Sequence, residues 1–174
     1  MAVDRFISPG YLREQVRLHA EGNYGVSGAR HAPAVEAIAR LCKYRTVLDY
    51  GCGQGHLRAK CTIPIIEYDP VIKGKNSLPR PAELVVCVDV LEHVEPNCIR
   101  NVLAHLHSLT RARLFVAIAL RESTKVLSDG HNAHILLLSP KKWRMLFAET
   151  GFAEIFWQIS KGEMIGCMEK KRYG

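Results

Sequence analysis

The sequence predicts an α/β fold built on a mostly parallel sheet. Three observations carry this prediction. First, short apolar runs rich in β-branched residues recur along the 174 residues, at 46–48, 65–66, 84–88 and 114–120. Apolar side chains on consecutive positions mark strands covered on both faces. Second, stretches with helical periodicity lie between these runs, as parallel neighbours require. Third, glycines or acids stand where the runs end. In an open parallel sheet those ends form the crevice where ligands bind.

Composition sets the limits. An apolar fraction of 48% and a charged fraction of 24% are ordinary for one globular domain. No apolar stretch approaches the roughly 18–20 residues of a membrane helix. The opening residues MAVDRFISPG hold no long apolar core, so no signal peptide is expected and the expected location is cytoplasmic. The six cysteines form no C-x-x-C pair and several lie in apolar runs. They read as reduced thiols rather than a disulfide framework or a zinc site. A net charge of +7 permits an anionic or nucleic-acid partner without requiring one.

Residues 11–19 form an amphipathic helix, with Leu12, Gln15, Val16 and His19 on one stripe. Residues 21–28 hold three glycines and read as a lid-like loop, with Tyr24 as the aromatic that closes over a ligand. A second helix covers 33–42. The stretch 46–55, TVLDYGCGQG, then passes from a buried strand into Gly51, Gly53 and Gly55. Glycine permits a sharp turn and close approach of backbone to ligand. Asp49 stands in front of that turn, where a carboxylate repels a pyrophosphate and suits a cationic group. The second strand ends at Asp69, twenty residues after Asp49, placed to accept bonds from ribose hydroxyls. Glu67 is the weaker alternative, because its side chain points along the sheet face.

Residues 71–83 are only thirteen, broken by glycine, asparagine and two prolines. They cannot hold both a helix and a strand of ordinary length. A further strand follows at 84–88, a helix at 97–109, and a strand at 114–120. The polar loop 121–133, RESTKVLSDGHNA, has the length and position of a functional loop. Ser139-Pro140 opens a helix over 141–150, and strands 154–159 and 163–168 turn through Lys161-Gly162 into an antiparallel hairpin.

The turn D-x-G-x-G-x-G at Asp49 resembles the first motif of the class I S-adenosylmethionine-dependent methyltransferases, and Asp89-Val90-Leu91-Glu92-His93-Val94 is similar to their fourth. The likeness spans about residues 34–168 and implies their Rossmann-like sheet with an antiparallel last hairpin. The third strand and its helix, which such enzymes place between the second strand and the fourth motif, are expected to be shortened or missing. Adenine contacts are then undetermined, with Leu78 a guess at a ring-packing residue.

The resemblance further implies S-adenosylmethionine as cofactor, held by Asp49, Gly51, Cys52, Gly53, Asp69, Pro70, Asp89 and Leu91. His93 and His134 are implied as catalytic residues, with Tyr24 and His131 toward substrate or lid. Asp89-x-x-Glu92-His93 also has the form found in ubiquinone-pathway O-methyltransferases and small-RNA 2′-O-methyltransferases. Those enzymes hold a divalent ion with such residues and a later histidine, here His134 or else His131. The metal set would be Asp89, Glu92, His93 and His134. Leu-Glu-His-Val is common in members that use no metal, where the acid touches cofactor and the histidine packs, caps or acts as base.

Segments 11–25, LDYGCGQG and DGHNAH are similar to small methyltransferases of bacteriophages and prophages. The expected reaction is methyl transfer to an oxygen or nitrogen of a small molecule or modified nucleotide. Ribose methylation of RNA or DNA is the alternative within enzymology, since neither D/N-P-P-Y/F nor a Pro-Cys nucleophile is present. A cofactor-binding protein without turnover is the alternative outside it. The expected organisation is a helix and lid-like segment at 1–33, the cofactor-binding domain at 34–168 and a basic tail at 169–174. His19, His31, His56, His105 and His107 are expected on helix surfaces or as caps, and Trp143 and Trp157 in the core.

Overall fold

A computed structural model describes residues 6–22 and 26–171. Its strands are β1 (Val47–Tyr50), β2 (Ile66–Tyr68), β3 (Ala82–Val88), β4 (Thr110–Ala119), β5 (Phe152–Ser160) and β6 (Glu163–Lys170). Its helices are α1 (Pro9–Ala20), α2 (Gly28–Leu41), α3 (His56–Lys60), α4 (Ile99–Leu109) and α5 (Pro140–Glu149). The strands form one sheet in the order β2-β1-β3-β4-β6-β5. β2, β1, β3 and β4 run parallel, while β6 is antiparallel to β4 and β5 antiparallel to β6. This is the class I methyltransferase sheet expected from the sequence, with its last hairpin. Among the described residues, 69–81 form neither strand nor helix, so β2 is the sheet edge. No helix among them is long and apolar enough to cross a membrane.

The period of two along each strand sorts side chains onto two faces. Leu48, Val85, Cys87, Leu114, Val116 and Ile118 join α4 and α5 in one core. Val47, Leu84, Val86, Val88, Phe115 and Ala117 join α2 and α3 in the other. Trp143 is fully buried in the first core, and Trp157 packs against it. All six cysteines are free thiols, and Cys52, Cys87, Cys98 and Cys167 are buried.

Helix starts follow local chemistry. Ser8 and Ser139 accept from the backbone N–H groups of Tyr11 and Lys142, and each is followed by a proline in the first turn. Such a serine cap stabilises its helix by about 1 kcal/mol. The two strands of the last hairpin are joined by Lys161 and Gly162, with φ of 51° and 74°. Positive φ at both positions matches the twist of paired strands.

Most boundaries shift by one or two residues, and two starts differ from the sequence expectation by four or more. α2 starts at Gly28 rather than 33, so Pro33 lies inside it. Proline forfeits one helix hydrogen bond there, and packing of Ala32, Val35 and Ala39 into the second core outweighs that loss. β4 begins at Thr110, directly after α4, because its backbone stays paired with β3 back to Ala82.

Candidate functional site

Four strand ends surround a cavity of about 260 Å³. Gly51 follows β1, Asp69 and Pro70 follow β2, Asp89 follows β3, and Arg121 follows β4; all line it. His93 and His134 complete the wall. Thus Gly51, Asp69, Pro70, Asp89, His93 and His134, all singled out from the sequence, converge on one hollow. Tyr24 lies outside the described residues.

The glycine turn owes its shape to backbone geometry. Gly51 has φ of 77°, and a Cβ there would sit 2.4 Å from Val90 Cγ2. The N–H groups of Gly51 and Cys52 donate to the Tyr68 carbonyl, which ties the turn to the end of β2. The Asp69 carboxylate accepts from Gly53 N–H through Oδ2 and from Val71 N–H through Oδ1, both at 2.9 Å. Asp69 therefore holds the turn and also faces the cavity. Glu67 does neither: its oxygens pair with Arg58 and Lys75, each at 3.0 Å.

Asp49, Cys52, Gly53 and Leu91 are not part of the wall. Leu91 is in the core because the 3-10 turn Leu91–His93 rotates it inward. Cys52 is buried and its thiol points to the Gly53 carbonyl at 3.7 Å. Asp49 is buried, and no hydrogen bond to its carboxylate exists among the described residues. Burial, reinforced by the charges of Glu67 and Asp69, pushes its carboxyl up to about 7. A buried acid in this state suits a cation nearby.

Asp89 is the centre of a second polar group. Its φ is 58°, unusual for a non-glycine residue. Strain of this kind costs on the order of 1–3 kcal/mol and persists where surroundings over-determine it. The restraints are visible: Asp89 N–H donates to Ala117 O, and Ser27 Oγ donates to Asp89 Oδ2 at 2.7 Å. Glu92 is fully buried, and one of its oxygens accepts from Ala119 N–H at 2.6 Å. Burial and the neighbouring Asp89 raise the Glu92 carboxyl well above the usual range. Burial alone would raise Asp89 too, but the adjoining Glu92, the Ser27 hydroxyl and two nearby histidines hold it low. The proton of the pair therefore rests on Glu92, whose Oε2 is buried with no hydrogen-bond partner among the described residues.

His93 and His134 meet edge to face, with ring centroids 4.7 Å apart. His93 Nδ1 lies 2.8 Å from Ala133 O, and His134 Nδ1 lies 2.6 Å from Arg121 O. A carbonyl only accepts, so each Nδ1 carries the proton and each Nε2 is the basic nitrogen. Burial and the neighbouring His134 push His93 down to about 4, so it is neutral near pH 7. Ligand atoms of Asp89, Glu92 and His134 lie within 4.8 Å of one another; His93 does not join that group. His131 is largely exposed and paired with Asp129 at 3.1 Å, away from the cavity. The turn at Gly130 carries it outward. Leu78 is likewise exposed.

Some lining residues were not foreseen. α1 lies over the cavity and contributes Tyr11, Gln15 and His19, so His19 is no surface residue. His31 too is buried, 3.6 Å from Glu163. Asn132 shapes the loop after β4: its amide oxygen accepts from Ser123 N–H and His134 N–H, and its Nδ2 donates to Ser123 O. A helical stripe reveals that α1 is amphipathic but not what it covers. The only signal for Asn132 is its place in a long polar loop.

Known proteins place this geometry. The family model described as "Methyltransferase domain" matches residues 27–158. No curated protein sequence matches. Among solved structures, 1,6-didemethyltoxoflavin-N1-methyltransferase of Burkholderia thailandensis, with 1,6-didemethyltoxoflavin and S-adenosylhomocysteine bound, is similar at TM-score 0.70. It is 16% identical, over 92% of this chain and 87% of that one. Magnesium protoporphyrin IX methyltransferase of Synechocystis PCC 6803 is similar at TM-score 0.60, with 16% identity over 82% and 83% of the two chains. A TehB-like S-adenosylmethionine-dependent methyltransferase of Corynebacterium glutamicum gives TM-score 0.59, with 16% identity over 93% and 97%. At such identities the structures speak to fold alone, and none of these matches speaks to the bacteriophage lineage. The family match, over most of the chain, is decisive: this chain belongs to the methyltransferase-domain family, and is an S-adenosylmethionine-dependent methyltransferase of the class I fold.

Proposed function

We propose that the chain methylates an oxygen or nitrogen of a small molecule or modified nucleotide, with the acceptor placed against His93 and His134. The observation that carries this reading is the meeting of two imidazoles, each with its Nδ1 proton committed to a carbonyl, on the wall that also bears Asp69 and Asp89. The site fits a sulfonium nucleoside. Asp49 is a buried carboxylate without a hydrogen-bond partner among the described residues, and the turn at Gly51 has no room for a side chain. We assign Asp49, Gly51, Gly53, Asp69, Pro70 and Asp89 to cofactor binding, with Cys52 and Leu91 supporting the turn and the 3-10 segment from behind.

When bound, S-adenosylmethionine supplies an electrophilic methyl group on a good leaving group. The chain then has to position the acceptor and take up its proton. His93 Nε2 is the base in this reading. His134 sets its edge-to-face neighbour in place, and Asp89 is a negative charge beside both rings. We also propose that α1 acts as cover for the domain, whose bounds depart from the expected 34–168 because α2 starts at Gly28 and β6 stays paired through Lys170. Pure protein titrated calorimetrically with S-adenosylhomocysteine should bind it; no heat of binding sinks the cofactor assignment. His93→Ala should lower turnover by about 10²–10⁴-fold with cofactor affinity unchanged. Binding of RNA that weakens steeply with salt, with no small acceptor turned over, would move the acceptor to nucleic acid.

A second reading places a divalent ion among Asp89, Glu92 and His134, favoured by their convergence within 4.8 Å. Glu92→Gln separates the two. If Glu92 is a neutral buried acid, glutamine reproduces its shape and its lack of charge, and activity stays within a few-fold. If Glu92 is a ligand, the same change abolishes Mn²⁺ binding and activity together.

A further inference from the structure

The cavity lining carries both signs of charge. Carboxylates stand at the ends of β2 and β3, and the loop after β4 contributes Arg121 and Lys125. These two cations are not alike. Lys125 is committed to Glu21 at 3.6 Å. The Arg121 guanidinium has no ion pair and no hydrogen bond among the described residues, although Asp69 and Asp89 line the same cavity.

Arg121 is also held in place. Its stem lies against the hairpin turn, where a Cβ on Gly162 would sit 3.2 Å from Arg121 Cδ. The neighbouring Leu120 N–H donates to Gly162 O at 2.8 Å, and Arg121 O accepts from His134 Nδ1. The hydrogen bonds of Asn132 fix the following Ser123, whose residue also lines the cavity with Thr124. An exposed guanidinium on the cavity lining, its stem packed on the hairpin turn and hydroxyl residues beside it, suits an oxyanion. It offers paired N–H donors to two oxygens of one carboxylate or phosphate.

We propose that the methyl acceptor carries an anionic oxygen group, a carboxylate or a phosphate, and that Arg121 receives it. The acceptor's nucleophilic atom is then turned toward His93 and His134, since the backbone of Arg121 positions His134 directly. Selection of the acceptor by charge follows: an uncharged analogue of the same shape leaves the guanidinium without its partner. This inference rests on the acceptor site assigned above.

The test uses full-length protein, with and without saturating S-adenosylhomocysteine, titrated with benzoate, phenyl phosphate and the uncharged benzamide. Benzoate or phenyl phosphate should bind at least tenfold more tightly than benzamide. Arg121→Gln should erase that preference and Arg121→Lys should keep part of it, while affinity for S-adenosylhomocysteine stays as in the unaltered protein. The tighter of the two anions tells whether a carboxylate or a phosphoryl group is taken. Equal binding of benzamide, no binding of either anion, or an anion preference that survives in Arg121→Gln overturns the proposal. Failure of S-adenosylhomocysteine to bind the unaltered protein overturns the underlying cofactor assignment instead, and the anion titrations without it still read Arg121.

Discussion

With Asp49 in its proposed cofactor role, the site should be sensitive to pH. Its carboxyl is pushed up to about 7 by burial and by the neighbouring Glu67 and Asp69, from about 3.9 in an unfolded chain. The folded-state value is the higher one, so its contribution to stability is complete below about pH 4 and is lost as pH rises through 7. Cofactor binding runs the other way, because the ionised carboxylate attracts the cationic ligand. Affinity for S-adenosylmethionine should fall by up to about tenfold per pH unit below 7, and Asp49→Asn should flatten that profile. A calorimetric series from pH 5.5 to 8.5 reads both. His93, held down at about 4, stays a base over that whole range, so turnover at saturating cofactor should be level where affinity is changing. The strand-tip acids and His93 were legible because each follows an apolar run at a position that topology alone sends to one edge. His19 was not, since its place depends on a wall built from distant segments such as Asp69, and Asn132 was not, since an asparagine bonding within its own loop leaves no periodic signal.

The glycine turn is the element whose sequence and structure agree most closely. Its tolerance follows from two features of Gly51, the φ of 77° and the 2.4 Å approach of Val90 to a Cβ. Gly51→Ala should destabilise the fold by about 1–3 kcal/mol and weaken cofactor binding more than tenfold, because Val90 must move into the cavity. Thermal melting with and without S-adenosylhomocysteine separates these effects; an alanine variant that binds as well as the parent contradicts the role given to the turn. The missing third strand was legible for a different reason. Thirteen residues with two prolines set an upper limit on what can form between β2 and β3, and a limit of length survives any tertiary context. The start of α2 was hidden because local signals, Gly28 and Pro33, oppose a helix that packing of Ala32 and Val35 imposes.

Across the whole molecule, α1 is strapped over the cavity by contacts that are far apart in sequence. Glu95 accepts from Ser8 N–H at 2.7 Å, Glu14 accepts from Ser128 N–H and its hydroxyl, and Glu21 pairs with Lys125. Leu18 packs with Leu127 and Ala133 beneath it. The straps join α1 both to the segment after β3 and to the loop after β4, so the helix and the two halves of the site are one cooperative unit. A ligand held by that unit should leave only when α1 loosens. S-adenosylhomocysteine at one hundred times its Kd should stabilise the fold by about 2.7 kcal/mol, which for a chain of this size raises the melting temperature by about 5–10 °C. Amide exchange should slow in α1 and in the loop after β4 together, although none of the residues assigned to cofactor binding lies in α1. Glu14→Ala, Glu95→Ala and Glu21→Ala combined remove the straps and leave the strand-tip acids in place, Glu95 alone of the three lying on the cavity lining. That variant should lose most of the exchange protection in α1 and release cofactor faster, with its association rate little changed. Protection of the β1 turn alone, with α1 exchanging as in the free protein, would show that the helix is a bystander.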